Sequence, residues 1–93
     1  SCAMDLLIET STERGVIALK KGEEILFLQE LPFGQDQSKY LMPLLVALLE
    51  PYSLPGSLRA VGVGIGPGSY TGIRIGVAVA QACAYSWKVP LIG

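Results

Sequence analysis

One stretch decides the fold of this chain: Gly62-Val63-Gly64-Ile65-Gly66-Pro67-Gly68-Ser69-Tyr70-Thr71-Gly72-Ile73-Arg74-Ile75-Gly76. Its first residues continue an apolar strand, its middle is a glycine-rich turn, and its last residues open an apolar helix. A turn of this kind leaves backbone N–H groups at a helix N-terminus, where the helix dipole favours an anion. The stretch therefore predicts a strand–turn–helix unit with a candidate anion site at the turn.

Small residues recur every fourth position along the predicted helix, at Gly72, Gly76, Ala80 and Ala84. Glycine inside a helix costs about 1 kcal/mol relative to alanine, so two glycines one turn apart need a compensating close contact. Two sources of that contact stay open: the sheet and first helix of the chain itself, or the backbone of a second molecule. The second interpretation predicts that Gly76→Leu abolishes association and leaves the fold intact.

The rest of the chain predicts three hairpin-connected strands followed by helices that alternate with strands. The predicted strands are residues 4–11, 16–20, 24–31, 59–65 and 89–92, and the predicted helices are residues 38–50 and 69–86. This order, βββαβαβ, is an α/β pattern typical of a ribonuclease-H-like lobe. It predicts a mixed five-stranded sheet whose fourth strand, apolar on both faces, is parallel to the first and buried under helices.

Composition excludes several classes of function. The 93 residues suffice for one small domain, and seven basic against eight acidic residues leave a net charge of −1. Because basic residues are not in excess, direct nucleic-acid binding by this chain is not expected. The absence of histidine excludes imidazole metal sites and Ser-His-Asp triads, so we expect no catalytic and no metal-ligating residues. The two cysteines do not form a disulfide framework, and no apolar run is long enough to predict a membrane span. Together these two observations favour the cytoplasm.

The polar end of the first strand and the glycine-rich turn are expected to meet at one edge of the sheet. The candidate anion- or nucleotide-binding residues there are Glu9, Ser11, Gly66, Gly68, Ser69 and Thr71. The turn is not a P-loop, because no lysine follows it, and its glycine spacing does not fit a dinucleotide fingerprint. The alternative is a tight strand-to-helix turn that needs glycine backbone angles, beside a capped strand end.

An apolar face on the first helix is the other candidate contact surface. Leucines at residues 41, 44, 45, 48 and 49 form the core-facing stripe, and Met42 and Val46 form a second, smaller face. The predicted partner interface comprises Met42, Val46, Gly72, Arg74, Gly76 and Ala80. Two interpretations of Arg74 are equally open. Its guanidinium pairs with an anion or with a carboxylate of a partner, or Arg74 is an ordinary surface residue.

Three segments resemble the TsaB (YeaZ) family: Leu6-Leu7-Ile8-Glu9-Thr10-Ser11-Thr12, Gln37-Ser38-Lys39-Tyr40-Leu41-Met42-Pro43, and Gly66-Pro67-Gly68-Ser69-Tyr70-Thr71-Gly72-Ile73-Arg74-Ile75-Gly76. The resemblance covers residues 4–93 and corresponds to the N-terminal lobe of that family. Residues 1–3 are expected to be a cloning remnant, and the C-terminal lobe is expected to be absent from this chain.

The resemblance implies an actin-like ATPase (ASKHA) lobe in a non-catalytic subunit of the complex that makes N6-threonylcarbamoyladenosine at adenosine 37 of tRNA. In that family the subunit binds and activates a TsaD catalytic subunit, joins a TsaE ATPase, forms homodimers through overlapping surfaces, and meets tRNA only through the complex. It implies no cofactor on this chain, with any ATP and Mg²⁺ on partner subunits. The alternative is a nucleotide-binding enzyme of the sugar-kinase type; the old glycoprotease label has no support in these residues.

Two residues depart from the family pattern. The family usually begins its first motif with Asp-Thr-Ser, whereas this chain has Glu9, whose carboxylate lies one methylene further out and disfavours an inherited Mg²⁺ geometry. Gln37 stands where the family often has histidine, and the His-x-x-x-His metal pair of the catalytic relatives is absent. Both departures favour an accessory role.

Overall fold

A computed structural model describes residues 3–12, 14–31, 37–52 and 57–93 of the chain. In chain order the elements are β1 (Met4–Glu9), β2 (Val16–Lys21), β3 (Glu24–Glu30), α1 (Gln37–Leu49), β4 (Leu58–Val63), α2 (Tyr70–Trp87) and β5 (Leu91–Ile92). The predicted order βββαβαβ is confirmed. Predictions for the loops at residues 32–36 and 53–56, and for residues 1–2 of the expected cloning remnant at residues 1–3, lie outside the described residues.

The five strands form one mixed sheet in the order β3-β2-β1-β4-β5. β1 pairs antiparallel with β2 and parallel with β4, so Leu6 lies between Leu19 and Val61. β5 adds a parallel edge beside β4. The predicted parallel pairing of the first and fourth strands is confirmed, and β1 is the centre of the sheet.

One face of the sheet carries the core. Alternate strand residues on this face, such as Leu6, Ile17 and Val61, are fully buried. They join a single cluster with Leu41, Leu45 and Leu49 of α1 and with Ala80, Cys83 and Ala84 of α2. Both helices therefore pack on the same side of the sheet, where burial of apolar surface provides the main stabilising term.

The opposite face of the sheet has no helix on it within the described residues. Its apolar side chains are partly open to solvent, and Leu7, Ile25, Leu28 and Ile92 are between 39% and 57% exposed. Within the described residues, the prediction that β4 is buried under helices therefore holds for one face of the sheet only. The physical reason is the crossover direction, because α1 and α2 both return over the same side.

The leucine stripe of α1 faces the core as predicted. Leu41, Leu45 and Leu49 are buried, whereas Val46 is 64% exposed. The helix begins at Gln37, which places Pro43 in its second turn. Pro43 has no N–H to donate, and its exposed position keeps the freed carbonyl of the preceding turn near water.

Polar caps set both ends of α2. Ser69 is the N-cap, and its hydroxyl accepts a hydrogen bond from the N–H of Gly72 at 3.1 Å. At the other end, Lys88 adopts the left-handed conformation with a φ of 56° and donates its N–H to the carbonyl of Ala84 or Tyr85. Both devices satisfy backbone groups that the helix itself leaves without partners.

The small residues of α2 are buried against the chain's own backbone. A Cβ placed on Gly72 would overlap the carbonyl oxygen of Thr10, and one placed on Gly76 would overlap the Thr10 hydroxyl. Ala80 is fully buried in the core cluster. The close contact that the two glycines required is thus an internal one, between α2 and the end of β1.

This packing corrects the interpretation in which the stripe faces a second molecule. Gly72, Gly76 and Ala80 have no exposed surface to offer a partner's backbone. The expectation that Gly76→Leu leaves the fold intact also fails, because a leucine there would collide with Thr10.

No helix in the described parts of the chain is long and apolar enough to cross a bilayer.

The internal contact predicts that Gly72→Ala destabilises the fold although alanine is the better helix former. The added methyl group meets the Thr10 carbonyl, so we expect the free energy of unfolding to fall by about 2 kcal/mol or more. Ala78→Gly, at an exposed position of the same helix, measures helix propensity alone and should cost about 1 kcal/mol. Urea unfolding of both variants checks this; a gain in stability for Gly72→Ala contradicts the packing.

Candidate functional site

The elements create two places where chemistry or recognition can occur. The first, here called the β1–α2 corner, consists of residues 9–11 at the end of β1 and residues 64–72 that lead into α2. The second, here called the α1–α2 groove, lies between the two helices. The corner contains the predicted anion-binding residues, and the groove contains part of the predicted interface.

A buried threonine joins the two halves of the corner. The Thr10 hydroxyl donates a hydrogen bond to the carbonyl oxygen of Gly72 at 2.5 Å, and Thr10 is fully buried. The N–H of Ser69 donates to the carbonyl oxygen of Ser11 at 2.6 Å. These two hydrogen bonds connect residues about sixty positions apart in the chain, and they hold the end of β1 against the start of α2.

Glu9 folds back over the end of its own strand. Its Oε2 accepts hydrogen bonds from the Ser11 N–H, at 2.9 Å, and from the Ser11 hydroxyl. Its carboxylate also covers Gly64, where any Cβ would overlap both carboxylate oxygens. The sequence predicted that Glu9 and Ser11 lie together, and the structure shows that they bind each other.

The other predicted anion-binding residues are distributed unevenly round the corner. Gly68 packs against the carbonyl of Ser11, and Ser69 caps α2. Gly66 has a φ of 104°, a conformation that requires glycine. This angle agrees with the alternative interpretation, in which the segment is a tight strand-to-helix turn. Thr71 lies instead on the outer surface of α2 beside Arg74.

The hydrogen bonding and the charge of the described corner residues disfavour a nucleotide phosphate or a Mg²⁺ ion. Ser11, Ser69 and Gly72 already donate their N–H groups within the chain. Residues 64–72 contain no lysine or arginine. The described residues also contain no group of three histidine, cysteine, aspartate or glutamate side chains that could hold a metal ion. Three of the corner's N–H groups are therefore already engaged, and residues 64–72 offer a phosphate no positive charge.

The α1–α2 groove is an open apolar depression of about 420 Å³. It is lined by Met42, Leu45, Val46, Leu49, Glu50, Tyr52, Ala82, Cys83, Ser86 and Trp87. Met42 and Val46 are 39% and 64% exposed, so the second apolar face of α1 does stand open to solvent as the sequence indicated. Small residues of α2 form the floor, which lets side chains of a neighbouring molecule approach closely.

Of the six predicted interface residues, only three are accessible. Met42 and Val46 line the groove, and Arg74 is exposed on α2, where its guanidinium lies 5.5 Å from the centre of the Tyr70 ring. Gly72 is buried at the corner, Gly76 is buried against Thr10, and Ala80 is buried in the core.

Cys83 and Trp87 line the same groove as Met42, which the sequence alone did not indicate. A spacing of four residues is the sequence signal for this face of α2. It places Ala82 with Ser86, and Cys83 with Trp87, on the same side of the helix.

Comparison with known proteins gives consistent results. The family described as "TsaD: tRNA N6-adenosine threonylcarbamoyltransferase" matches residues 34–93. The chain is 33% identical over 88 residues to "tRNA threonylcarbamoyladenosine biosynthesis protein TsaB" of Haemophilus influenzae, covering 94% of this chain and 37% of that protein. It is 34% identical over 87 residues to the protein of the same name from Bacillus subtilis, covering 92% and 38%.

A solved structure supports the same relationship. "YeaZ from Pseudomonas aeruginosa" superimposes with a TM-score of 0.80 at 27% identity, covering 96% of this chain and 41% of that one. The fold is thus the actin-like ATPase and ribonuclease-H-like fold that the sequence predicted. The chain spans less than half the length of the curated relatives it matches.

The environment of Cys83 in the groove floor predicts slow thiol chemistry. Burial raises the pKa of the Cys83 thiol, so less thiolate is present at a given pH than for a free cysteine. At pH 8 we expect Cys83 to react with an aromatic disulfide reagent at least about tenfold more slowly than in urea. A Cys2→Ser background isolates the signal; equal rates in the folded and unfolded states contradict the burial.

Proposed function

The chain belongs to the TsaB (YeaZ) branch of the family described as tRNA N6-adenosine threonylcarbamoyltransferase TsaD, and from that membership we propose that it is a non-catalytic subunit in the synthesis of threonylcarbamoyladenosine in tRNA. Its role is to bind and activate a TsaD-like catalytic subunit. The names of its relatives support the pathway, and the α1–α2 groove supports the role of a binding subunit.

The groove is the observation that carries the proposal. It presents apolar side chains to solvent beside a floor of small residues. Exposed apolar surface in a recess of this kind is typical of a protein–protein contact. A helix from the partner with large apolar side chains fits between α1 and α2, and the resulting contact is a small helical bundle.

The chemistry is assigned to partner subunits. In this chain Glu9 and Ser11 are bound to each other, and the sequence contains no histidine. ATP and Mg²⁺ belong in this scheme to the TsaD-like subunit and a TsaE-like ATPase. A net charge of −1 favours contact with tRNA only through the assembled complex, and the cytoplasm remains the expected compartment.

A second copy of this chain is an alternative occupant of the groove. Met42 and Val46 of two copies would meet across a twofold axis, as in other isologous helix contacts. Homodimer and heterodimer would then exclude each other, because both use the same apolar surface.

The proposal predicts that Val46→Glu weakens binding to the TsaD-like subunit. The substitution places a charge among the apolar side chains of the groove, and we expect at least about a tenfold loss of affinity. Ala47→Glu is the matched control, because residue 47 is exposed on the same helix but does not line the groove.

Isothermal titration of each variant with the TsaD-like subunit measures the affinity, and circular dichroism confirms that both variants are folded. Equal affinity for Val46→Glu and wild type contradicts the groove as the interface. Loss of binding in both variants points to a different face of α1.

A further inference from the structure

The carboxylate of Glu9 occupies the position in which this fold class offers space to a ligand. Glu9 lies at the carboxyl end of the central strand β1, next to the turn that follows the parallel strand β4. Ligands of open α/β sheets bind at this end of the strands. In this chain the space above Gly64 is filled by the Glu9 side chain itself.

The hydrogen bonds made by Glu9 are those that an anionic ligand would receive. One carboxylate oxygen accepts from a backbone N–H and from a hydroxyl, both of Ser11. Hydrogen bonds to a charged acceptor are about twice as strong as those between neutral groups. The Glu9 carboxylate is therefore firmly placed, and Ser11 has neither of these donors left for a phosphate oxygen.

Charge at the corner adds a second barrier. An incoming phosphate would approach the negative Glu9 carboxylate with no lysine or arginine among residues 64–72 to offset the repulsion. The basic residue that follows, Arg74, is exposed and lies against the Tyr70 ring. Both local charge and occupied space disfavour phosphate.

We propose that Glu9 is a built-in anion that closes the β1–α2 corner to phosphate and nucleotide. The carboxylate takes the place of the ligand and holds the end of β1 against the turn. This inference goes beyond the proposed function, because a binding subunit could work equally well with an open corner.

The experiment compares anion binding to the wild-type chain and to Glu9→Ala. Alanine removes the carboxylate, opens the space above Gly64, and frees the N–H and the hydroxyl of Ser11. Isothermal titrations use inorganic phosphate, pyrophosphate and Mg-ATP as probes. We expect no saturable binding to wild type below about 10 mM, and binding to Glu9→Ala that is at least about tenfold tighter.

Asp5→Ala is the matched control. Asp5 is an acidic residue on the same strand, but its carboxylate pairs with Arg59, at 2.5 Å, away from the corner. The control removes the same charge from the chain and should leave phosphate binding unchanged. A gain in Asp5→Ala equal to that in Glu9→Ala overturns the proposal, because net charge alone would explain it.

Glu9→Gln keeps the inference testable if Glu9→Ala does not fold. The amide retains an acceptor oxygen for Ser11 and nearly the same volume, yet it removes the charge. We expect a smaller gain, of about threefold or more, in the same titrations. Wild-type binding as tight as that of the variants, or a folded variant with no gain, overturns the proposal.

Discussion

The structure depends on the contact between the end of β1 and the first turns of α2. The Thr10 carbonyl and hydroxyl lie so close to Gly72 and Gly76 that neither helix position has room for a Cβ. The hydroxyl also donates to the Gly72 carbonyl, which satisfies a polar group in a buried place. This contact sets the distance between α2 and the sheet, and the rest of the core packs at that spacing.

The same contact decides which surfaces remain for other molecules. α2 packs its smallest residues onto β1, and the neighbouring face of the helix, which includes Cys83, forms the groove with Met42 and Val46 of α1. The apolar surface left open between the helices consists of side chains of moderate size, such as Met42 and Val46. The backbone-to-backbone approach that the glycines first suggested takes place inside the molecule.

At the corner, residue type was predictable and side-chain direction was not. Glu9 stood out in the sequence because it replaces the shorter acid usual in the family. The sequence did not predict that the carboxylate would bind Ser11 and cover Gly64. Its contact with Gly64 depends on two strands that are adjacent only in the folded sheet, so no local pattern encodes that contact.

The sequence by itself determined the order of elements, the parallel pairing of β1 with β4 and the core stripe of α1, since periodicity and turn residues act over a few positions. It also showed that Gly72 and Gly76 need a close neighbour. Only the tertiary structure decided that the neighbour is Thr10, that both helices share one face of the sheet, and that Glu9 fills the corner. Those outcomes depend on contacts between residues far apart in the chain, where several partners satisfy the same local pattern and only the packed fold selects one.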